Sequence, residues 1–312
     1  RKPQHAGAAL MRRRRAVGFA LTLAAVVTLA GCASSPAATN SARDSAQASV
    51  ANRIAALEKK SGGRLGVAVT DQFGKLIVGH RANERFAMCS TFKLLLAAQT
   101  LTAAKNGVSL RTPLPFTRAD LLPYSPGAER LLDAEGKGEY RIGFAAEDAV
   151  VLSDNLAANL LLDHFGGPTA FTDHVQATGD LVTRLDRVEP DLNANIPGDP
   201  RDTTSPAAMA KSAAAYIFGD KLDPAYRTML REWLVKSETG LARIRAGLPR
   251  TWHVGDKTGS CGTAYNDVAF VEEPGGDKYM IAVYLDRPAL KGDAANAIIA
   301  DVARAVTGDR TE

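Results

Sequence analysis

Ser90-Thr91-Phe92-Lys93-Leu94-Leu95-Leu96-Ala97-Ala98 places a hydroxyl and an amine three residues apart, where an apolar helix begins. One helical turn brings residues at this spacing onto the same face, so Ser90 and Lys93 are predicted to lie side by side. A serine hydroxyl is a weak nucleophile at neutral pH unless a neighbouring base takes its proton. The stretch therefore predicts a nucleophilic serine, provided that other motifs support it.

The pattern around this stretch predicts an α/β fold. Of the 312 residues, 46% are hydrophobic and 23% charged, which is typical of a soluble globular protein. Strand patterns occur at residues 65–69, 76–78, 252–254, 268–271 and 280–285, and helical patterns at 50–60, 92–104, 156–165, 206–218, 224–237 and 292–306. We expect one antiparallel sheet built from both ends of the chain and flanked by helices, with an inserted all-α lobe and a site between the lobes.

Four segments follow from this reading. Residues 1–32 are expected to be upstream residues and a lipoprotein-type signal peptide, and residues 33–48 a flexible linker. Residues 49–85 and 236–312 would form the α/β lobe. Residues 86–235 would form the all-α lobe.

The amino-terminal segment has the pattern of an export signal. Four arginines at residues 12–15 follow Met11 and precede an uncharged run at 16–30, which is short for a membrane span. Leu29-Ala30-Gly31-Cys32 resembles a bacterial lipobox, in which Cys32 would be lipidated; an ordinary cleavage site is the alternative. The resemblance implies an exported cell-envelope lipoprotein, or one in part secreted. The choice between the general and the twin-arginine export route stays open.

The basic charge of the chain belongs to this segment. The full sequence has 38 Lys and Arg against 34 Asp and Glu, but six of the basic residues and none of the acids precede Cys32. The remainder has 32 basic and 34 acidic residues. Nucleic acid is therefore not an expected partner.

Three further motifs occur along the chain. Ser153-Asp154-Asn155 precedes a helix, Glu189-Pro190-Asp191-Leu192-Asn193 lies in the irregular segment 184–202, and Lys257-Thr258-Gly259-Ser260 follows a predicted strand. Each has a plain alternative: a helix cap, a solvated glutamate and a strand end with a solvated lysine. A long irregular loop inside a compact domain, however, usually has a function.

Together and in this order, these motifs and Ser90-x-x-Lys93 resemble those of the class A β-lactamases, from about residue 49 to the end of the chain. The resemblance implies the two-lobed serine β-lactamase and D,D-peptidase fold and hydrolysis of β-lactam antibiotics through a serine acyl-enzyme, which confers resistance. A D,D-peptidase and a β-lactam sensor or binding lipoprotein are the alternatives. Neither gives Glu189 a role.

The resemblance also implies catalytic roles. Ser90 would attack the lactam carbonyl, and the backbone N–H groups of Ser90 and Ser260 would stabilise the oxyanion. Either Lys93 or Glu189, acting through a water, would be the acylation base. Glu189 would activate the deacylating water with help from Asn193. In turn, Ser153 would protonate the leaving nitrogen, assisted by Lys257.

Substrate recognition is implied at the remaining positions. Asn155 would bind the amide side chain of the substrate, and Lys257, Thr258 and Ser260 would bind its carboxylate. The family commonly adds an arginine, and because none occurs between residues 258 and 286, spacing indicates Arg243, with Arg245 as the alternative. Arg187 and Asp202 match the ion pair that closes the glutamate loop.

The cysteines next to the motifs extend the resemblance. Cys89 precedes Ser90 and Cys261 follows Ser260, as in class A enzymes that hydrolyse carbapenems through a site flanked by a disulfide. Two free buried thiols are the alternative. The resemblance thus implies carbapenem hydrolysis as an expected activity. The segment 260–267, which edges the site beside the substrate, is one or two residues shorter than is usual in the family, and this departure bears on the substrate profile. The segment 126–140 is longer, which predicts a surface excursion.

The remaining patterns limit other chemistry. The sequence has no Cys-x-x-Cys, His-Glu-x-x-His or Gly-x-Ser-x-Gly string, so neither a metal site nor an ordinary serine esterase is predicted. No cofactor is expected. We expect a monomer that meets β-lactams as small-molecule substrates and the membrane only through its lipid anchor.

Overall fold

The computed structural model describes residues 36–308, with side chains for residues 48–308. The chain divides into a short unit, residues 1–42, and a compact unit, residues 43–312. The predicted signal segment and Cys32 lie outside the described residues. Among the described residues, no helix has both the length and the apolar character required to cross a membrane.

The described elements alternate between strands near both ends and helices between them. The helices are α1 (Pro36–Ser61), α2 (Phe92–Lys105), α3 (Pro126–Arg130), α4 (Ile142–Val151), α5 (Asn155–His164), α6 (Gly167–Gln176), α7 (Pro206–Ile217), α8 (Pro224–Val235) and α9 (Asp293–Thr307). The strands are β1 (Arg64–Asp71), β2 (Leu76–His80), β3 (Phe86–Ala87), β4 (Pro113–Thr117), β5 (Lys137–Arg141), β6 (Thr203–Thr204), β7 (His253–Ser260), β8 (Ala264–Glu272) and β9 (Lys278–Asp286).

Five strands form one antiparallel sheet in the order β2-β1-β9-β8-β7. Strand β1, from the amino-terminal part, pairs with β9, from the carboxyl-terminal part, so that Val67 lies opposite Val283. The predicted antiparallel sheet assembled from both ends of the chain is therefore confirmed. Two further two-stranded sheets, which pair β3 with β6 and β4 with β5, were not predicted. The turn after Asp71 is tight because its carboxylate accepts hydrogen bonds from the backbone N–H groups of Phe73 and Lys75, both at 2.9 Å.

The sheet separates two hydrophobic cores because successive side chains of a strand point to opposite faces. In β9, Ile281 and Val283 pack in the core that includes Ile54 of α1 and buried residues of α9. The neighbouring Ala282 and Tyr284 pack in the other core, with α2, α4, α5 and α7. The helices between the two parts of the sheet thus cover its second face.

The structure corrects one sequence-based expectation and adds elements in three other segments. Residues 36–48, expected as a flexible linker, form the first part of α1, because Pro36 suits a first helical turn and residues 37–48 are rich in alanine without glycine or proline. Residues 142–151 and 167–176, to which no element was assigned, are α4 and α6. Residues 126–140, expected as a surface excursion, include α3 and most of β5, which pairs with β4.

The Lys257-Thr258-Gly259-Ser260 motif lies within a strand, whereas the sequence predicted that it follows one. Strand β7 extends through Ser260 and pairs with β8 over its whole length. The alternation pattern ends at Val254 because the next residues are polar, although most of them are buried against the helical lobe. The residue limits of the two lobes stay a prediction.

Candidate active site

Ser90 lies in a 3₁₀ turn, Cys89–Thr91, that leads into α2, and Lys93 lies in the first turn of α2. Lys93 is fully buried and Ser90 is 9% exposed. Strand β7 passes so close to this turn that a Cβ at Gly259 would lie 2.6 Å from the carbonyl oxygen of Met88. Glycine is therefore required where the strand meets the serine turn.

Glu189 joins the serine and the lysine through one oxygen. The Ser90 hydroxyl donates to Glu189 Oε1 at 3.4 Å, and Lys93 Nζ lies 3.1 Å from the same oxygen. Lys93 also donates to the Ser153 carbonyl at 2.8 Å and to Asn155 Oδ1 at 2.6 Å. Burial lowers the pKa of the Lys93 ammonium, and the Glu189 carboxylate partly offsets this effect.

Glu189 lies in an irregular loop, residues 184–202, and is held both at its carboxylate and at its backbone. Asn193 Nδ2 donates to Glu189 Oε2 at 2.5 Å. The side chain of Asn159, on α5, binds the backbone of Glu189 twice, with its Nδ2 on the carbonyl at 2.8 Å and its Oδ1 on the N–H at 3.0 Å. Asn193 Oδ1 is buried and has no partner among the described residues. It is therefore available to accept a hydrogen bond from a bound molecule.

The predicted ion pair closes the base of this loop. Arg187 Nε lies 2.5 Å from Asp202 Oδ2, and the other oxygen of the carboxylate accepts from the N–H groups of Asp186 and Arg187 at 2.7 and 2.9 Å. Asp202 is 1% exposed. A buried carboxylate with three charge-assisted or backbone donors holds the two ends of the loop together.

Ser153 contacts the second buried lysine of the site, Lys257. Lys257 Nζ donates to Ser153 Oγ at 2.9 Å and to the Thr258 carbonyl at 2.8 Å. Burial lowers the pKa of the Lys257 ammonium well below its ordinary value, and the positive charge of Lys93 lowers it further. Ser153 has a φ of +61°, which points to a backbone held in place by its surroundings.

The three residues of the second motif have different environments. Asp154 caps α5 by accepting from the N–H of Ala157, so the helix-cap interpretation holds for this residue. Asn155 accepts from Lys93 and donates from Nδ2 to the Pro123 carbonyl at 2.8 Å. Ser153 and Asn155 both line the cleft.

The two candidate arginines separate clearly. Arg243 Nη2 donates to Ser260 Oγ at 2.6 Å, and Nη1 donates to the Asn266 carbonyl at 2.6 Å. Arg245 instead pairs with the buried Asp256 and donates to backbone carbonyls at the end of α8, behind the site. Arg243 is thus the arginine that reaches the cleft.

The cleft has a volume of about 310 Å³ and brings most of the predicted residues together; it is lined by Ser90, Tyr124, Ser153, Asn155, Asn193, Thr239, Arg243, Thr258 and Ser260. The sequence analysis gave no role to Tyr124, Thr239 or Asn159. Thr239 Oγ1 lies 2.6 Å from Thr258 Oγ1. Thr239 is recognised as a site residue only through this contact with Thr258, because no sequence motif surrounds it.

Cys89 and Cys261 form the predicted disulfide, with their Cα atoms 5.7 Å apart. The bond joins the residue before Ser90 to the residue after Ser260.

Among the described residues, no group of three or more His, Cys, Asp or Glu side chains could hold a metal ion. The cleft therefore presents a serine hydroxyl, a buried carboxylate and two buried ammonium groups, a set suited to nucleophilic acyl transfer.

Comparison with known proteins points to the same chemistry. A sequence model of the β-lactamase enzyme family matches residues 49–309. The chain is 40% identical to β-lactamase L2 of Stenotrophomonas maltophilia over 292 residues, which is 93% of each protein. It is 39% identical to β-lactamase CTX-M-8 of Citrobacter amalonaticus over 301 residues, which is 96% of this chain and 99% of that protein.

Solved structures show the same likeness. The class A β-lactamase of the last common ancestor of Gram-negative bacteria has a TM-score of 0.80 and 46% identity, over 84% of this chain and 99% of that one. A β-lactamase from Xanthomonas campestris has a TM-score of 0.80 and 39% identity, over 84% of this chain and 97% of that one.

Proposed function

Because this chain belongs to the β-lactamase enzyme family, as a class A serine enzyme that hydrolyses β-lactam antibiotics, we propose that it works through an acyl-enzyme on Ser90 that a Glu189-activated water releases. The observation that carries this proposal is the position of Glu189. One of its oxygens contacts both Ser90 and Lys93, and the other contacts Asn193.

In acylation, Ser90 Oγ bonds to the lactam carbonyl carbon while its proton leaves. Glu189 Oε1 is the acceptor within hydrogen-bond distance, either directly or through one water. The Lys93 ammonium lies next to this carboxylate, and its lowered pKa makes it a second route for the proton. Ser90 thus has two proton acceptors for acylation, Glu189 and the neutral Lys93 amine, so acylation can proceed without Glu189, whereas deacylation depends on Glu189.

The developing oxyanion would be held by the backbone N–H groups of Ser90 and Ser260. A donor of this kind typically contributes about 3 kcal/mol to transition-state stabilisation. The Cys89–Cys261 disulfide links the two chain segments that carry these donors. It therefore supports a fixed distance between them.

When the lactam C–N bond breaks, the nitrogen takes a proton from the Ser153 hydroxyl. The proton that left Ser90 then passes by way of Lys93 and Lys257 to the Ser153 oxygen, which restores this hydroxyl and leaves Glu189 ionised for deacylation. Lys257 donates a hydrogen bond to Ser153 Oγ, so its positive charge stabilises the oxygen as the proton leaves. This ammonium is fully buried, which strengthens its electrostatic effect on the Ser153 oxygen.

In deacylation, a water attacks the ester carbon, and Glu189 takes its proton. Asn193 Oδ1, buried and without a partner among the described residues, can accept the second hydrogen of that water. The C–O bond to Ser90 then breaks, and the proton returns to the serine oxygen. An ester in a buried site persists without such a positioned base.

Recognition of the substrate would use the rim of the cleft. The Thr258 and Ser260 hydroxyls and the Arg243 guanidinium are the donors for the substrate carboxylate, with Lys257 as a nearby cation. Asn155 would contact the amide side chain of the substrate. Its Nδ2 has two hydrogens, of which the Pro123 carbonyl uses one.

We extend the proposal to carbapenems because the disulfide beside Ser90 is present. The β7–β8 turn, which edges the site, is shorter than is usual in the family and therefore bears on the substrate profile. Steady-state kinetics with imipenem tests the extension. Turnover would support it, whereas a stable adduct without turnover would overturn it.

We further propose that the protein is exported and lipidated at Cys32 and works as a monomer in the cell envelope. The arginines at residues 12–15, the apolar run and Leu29-Ala30-Gly31-Cys32 support this location. Cys32→Ser should release the protein from membranes on fractionation. If the Cys32→Ser protein stays on membranes, lipidation at Cys32 does not anchor it. A dimer in light scattering would contradict the monomeric state.

The central test compares wild type with Glu189→Ala. Both are mixed with a chromogenic cephalosporin and weighed intact by mass spectrometry. We expect turnover by wild type and a trapped adduct on Ser90 in the variant. Asp191→Ala, at an exposed position two residues away, is the matched control and should turn over like wild type. Long-lived adducts of equal lifetime on wild type and Glu189→Ala would refute the mechanism.

A further inference from the structure

The Glu189 loop is tied to the turn between β7 and β8 by one side chain. Asn195 Nδ2 donates to Thr263 Oγ1 at 2.9 Å and to Asp286 Oδ1 at 2.8 Å. Asn195 follows Asn193 by two residues, and Thr263 follows Cys261 by two residues. The contact thus joins the segment that holds Glu189 to the segment that follows Ser260.

Residues at the end of β9 complete the connection. The backbone N–H of Arg287 donates to the Thr263 carbonyl at 2.7 Å, and its guanidinium donates to the Asn195 carbonyl. Asp286 also pairs with Arg64 on β1 at 3.3 Å. The two partners of the Asn195 amide are therefore themselves anchored to the sheet.

The backbone at this point favours asparagine. Asn195 has a φ of +42°, a region that most side chains avoid and that asparagine adopts several times more often than they do. The residue therefore combines a left-handed backbone with a side-chain amide that reaches across to Thr263.

Apolar packing does not hold this part of the loop. Residues 195–200 border a cavity of about 490 Å³ whose opposite wall includes Arg64, Arg85 and Arg287. Ile196, next to Asn195, is 50% exposed. The position of the loop tip consequently depends on the hydrogen bonds of Asn195.

We propose that Asn195 is a positioning residue for deacylation, which fixes Asn193 and Glu189 relative to the strand that carries Ser260. This inference rests on the proposed function of Glu189. The water between Glu189 and the ester must be held within a few tenths of an ångström to attack. Acylation depends less on the loop tip, because Ser90 and Lys93 are fixed in α2 and its preceding turn.

The test measures acylation and deacylation separately in Asn195→Ala, by single-turnover kinetics and by the acyl-enzyme fraction at steady state. We expect deacylation to slow about tenfold, equivalent to about 1.4 kcal/mol, and acylation to change less than about twofold. Asn195→Gly, which keeps the left-handed backbone, should behave in the same way. Equal slowing of both steps, or wild-type deacylation in both variants, would overturn the proposal.

Thr263 provides a second position for the test, and because it is exposed we expect its change not to disturb the core. Thr263→Val should slow deacylation relative to acylation, but less than Asn195→Ala does, because the contact with Asp286 remains. Thr263→Ser, which keeps the hydroxyl, should match wild type. The double variant Asn195→Ala with Thr263→Val should be no slower than Asn195→Ala alone. Additive effects would show that the two residues do not act together.

The outcomes also separate this inference from the proposed function. If wild type turns over and Glu189→Ala accumulates an adduct while the Asn195 variants deacylate normally, only the proposed latch fails, that is, the contact of Asn195 with Thr263 and Asp286. If wild type accumulates the same long-lived adduct as Glu189→Ala, the mechanism of deacylation fails and the latch with it.

Discussion

Lys257 Nζ lies 2.9 Å from Ser153 Oγ, although 104 residues separate the two in sequence. The contact joins strand β7 of the sheet lobe to the end of α4 in the helical lobe. Both residues are buried, Lys257 completely. The proposed proton donor for the leaving nitrogen therefore lies where the sheet lobe and the helical lobe meet.

The pH dependence of kcat/KM should show the deprotonation of the Lys257 ammonium. Burial and Lys93 place the pKa of Lys257 well below the ordinary lysine value of 10.5, so kcat/KM should fall on the alkaline side before that pH as Lys257 loses its charge. Lys257→Arg keeps a cation that does not titrate in this range and should move the alkaline limb to higher pH. An unchanged alkaline limb in Lys257→Arg would assign it to another group, of which Lys93 is the first to examine.

The disulfide should contribute to both stability and rate. It closes a loop of 172 residues, so Cys89→Ala with Cys261→Ala should lower the free energy of unfolding by about 2–5 kcal/mol. The same variant should lower kcat/KM because the segments that carry the two oxyanion donors are no longer linked. Chemical denaturation and steady-state kinetics measure the two effects.

Wild type should also have the intact mass of the bridged form; a mass two hydrogens heavier would contradict the bond.

Arg243 and Arg245 should respond differently to truncation. Arg243→Ala should mainly raise KM for substrates with a carboxylate, by about tenfold to a hundredfold, because a charge-assisted donor is lost. Arg245→Ala should instead lower the free energy of unfolding by about 3–5 kcal/mol, because Asp256 is left buried without its partner. Steady-state kinetics and urea unfolding of both variants check this separation. A larger KM effect in Arg245→Ala would reverse the assignment.

The ion pair at the base of the Glu189 loop should affect deacylation more than acylation. Asp202→Asn removes the charge that holds Arg187 at 2.5 Å, so the acyl-enzyme should accumulate during turnover. Intact-mass analysis at steady state measures the accumulated fraction. Arg201→Ala is the matched control from the same loop, since its pair with Asp199 is partly exposed and should contribute little. Equal accumulation in both variants would show that the loop does not depend on the buried pair.

The sequence by itself determined the sheet and the identity of most reactive groups. Short, nearly continuous apolar runs at 65–69 and 280–285 predict strands that are buried on both faces, and the order of the motifs supplies the serine, lysine and glutamate. These signals are local. They do not extend to α4 and α6, where no distinctive motif marks the helix, or to residues 36–48, where alanine favours helix over a linker.

Only the tertiary structure decided which polar groups meet. Sequence spacing left Arg243 and Arg245 as alternatives, and the fold separates them because one reaches Ser260 and the other pairs with Asp256 behind the strand. Asn195 carries no motif, and its contact with Thr263 spans 68 residues. Such contacts depend on how two lobes and a loop pack together, and the free energy of that packing is distributed over the whole core rather than over the residues that it brings into contact.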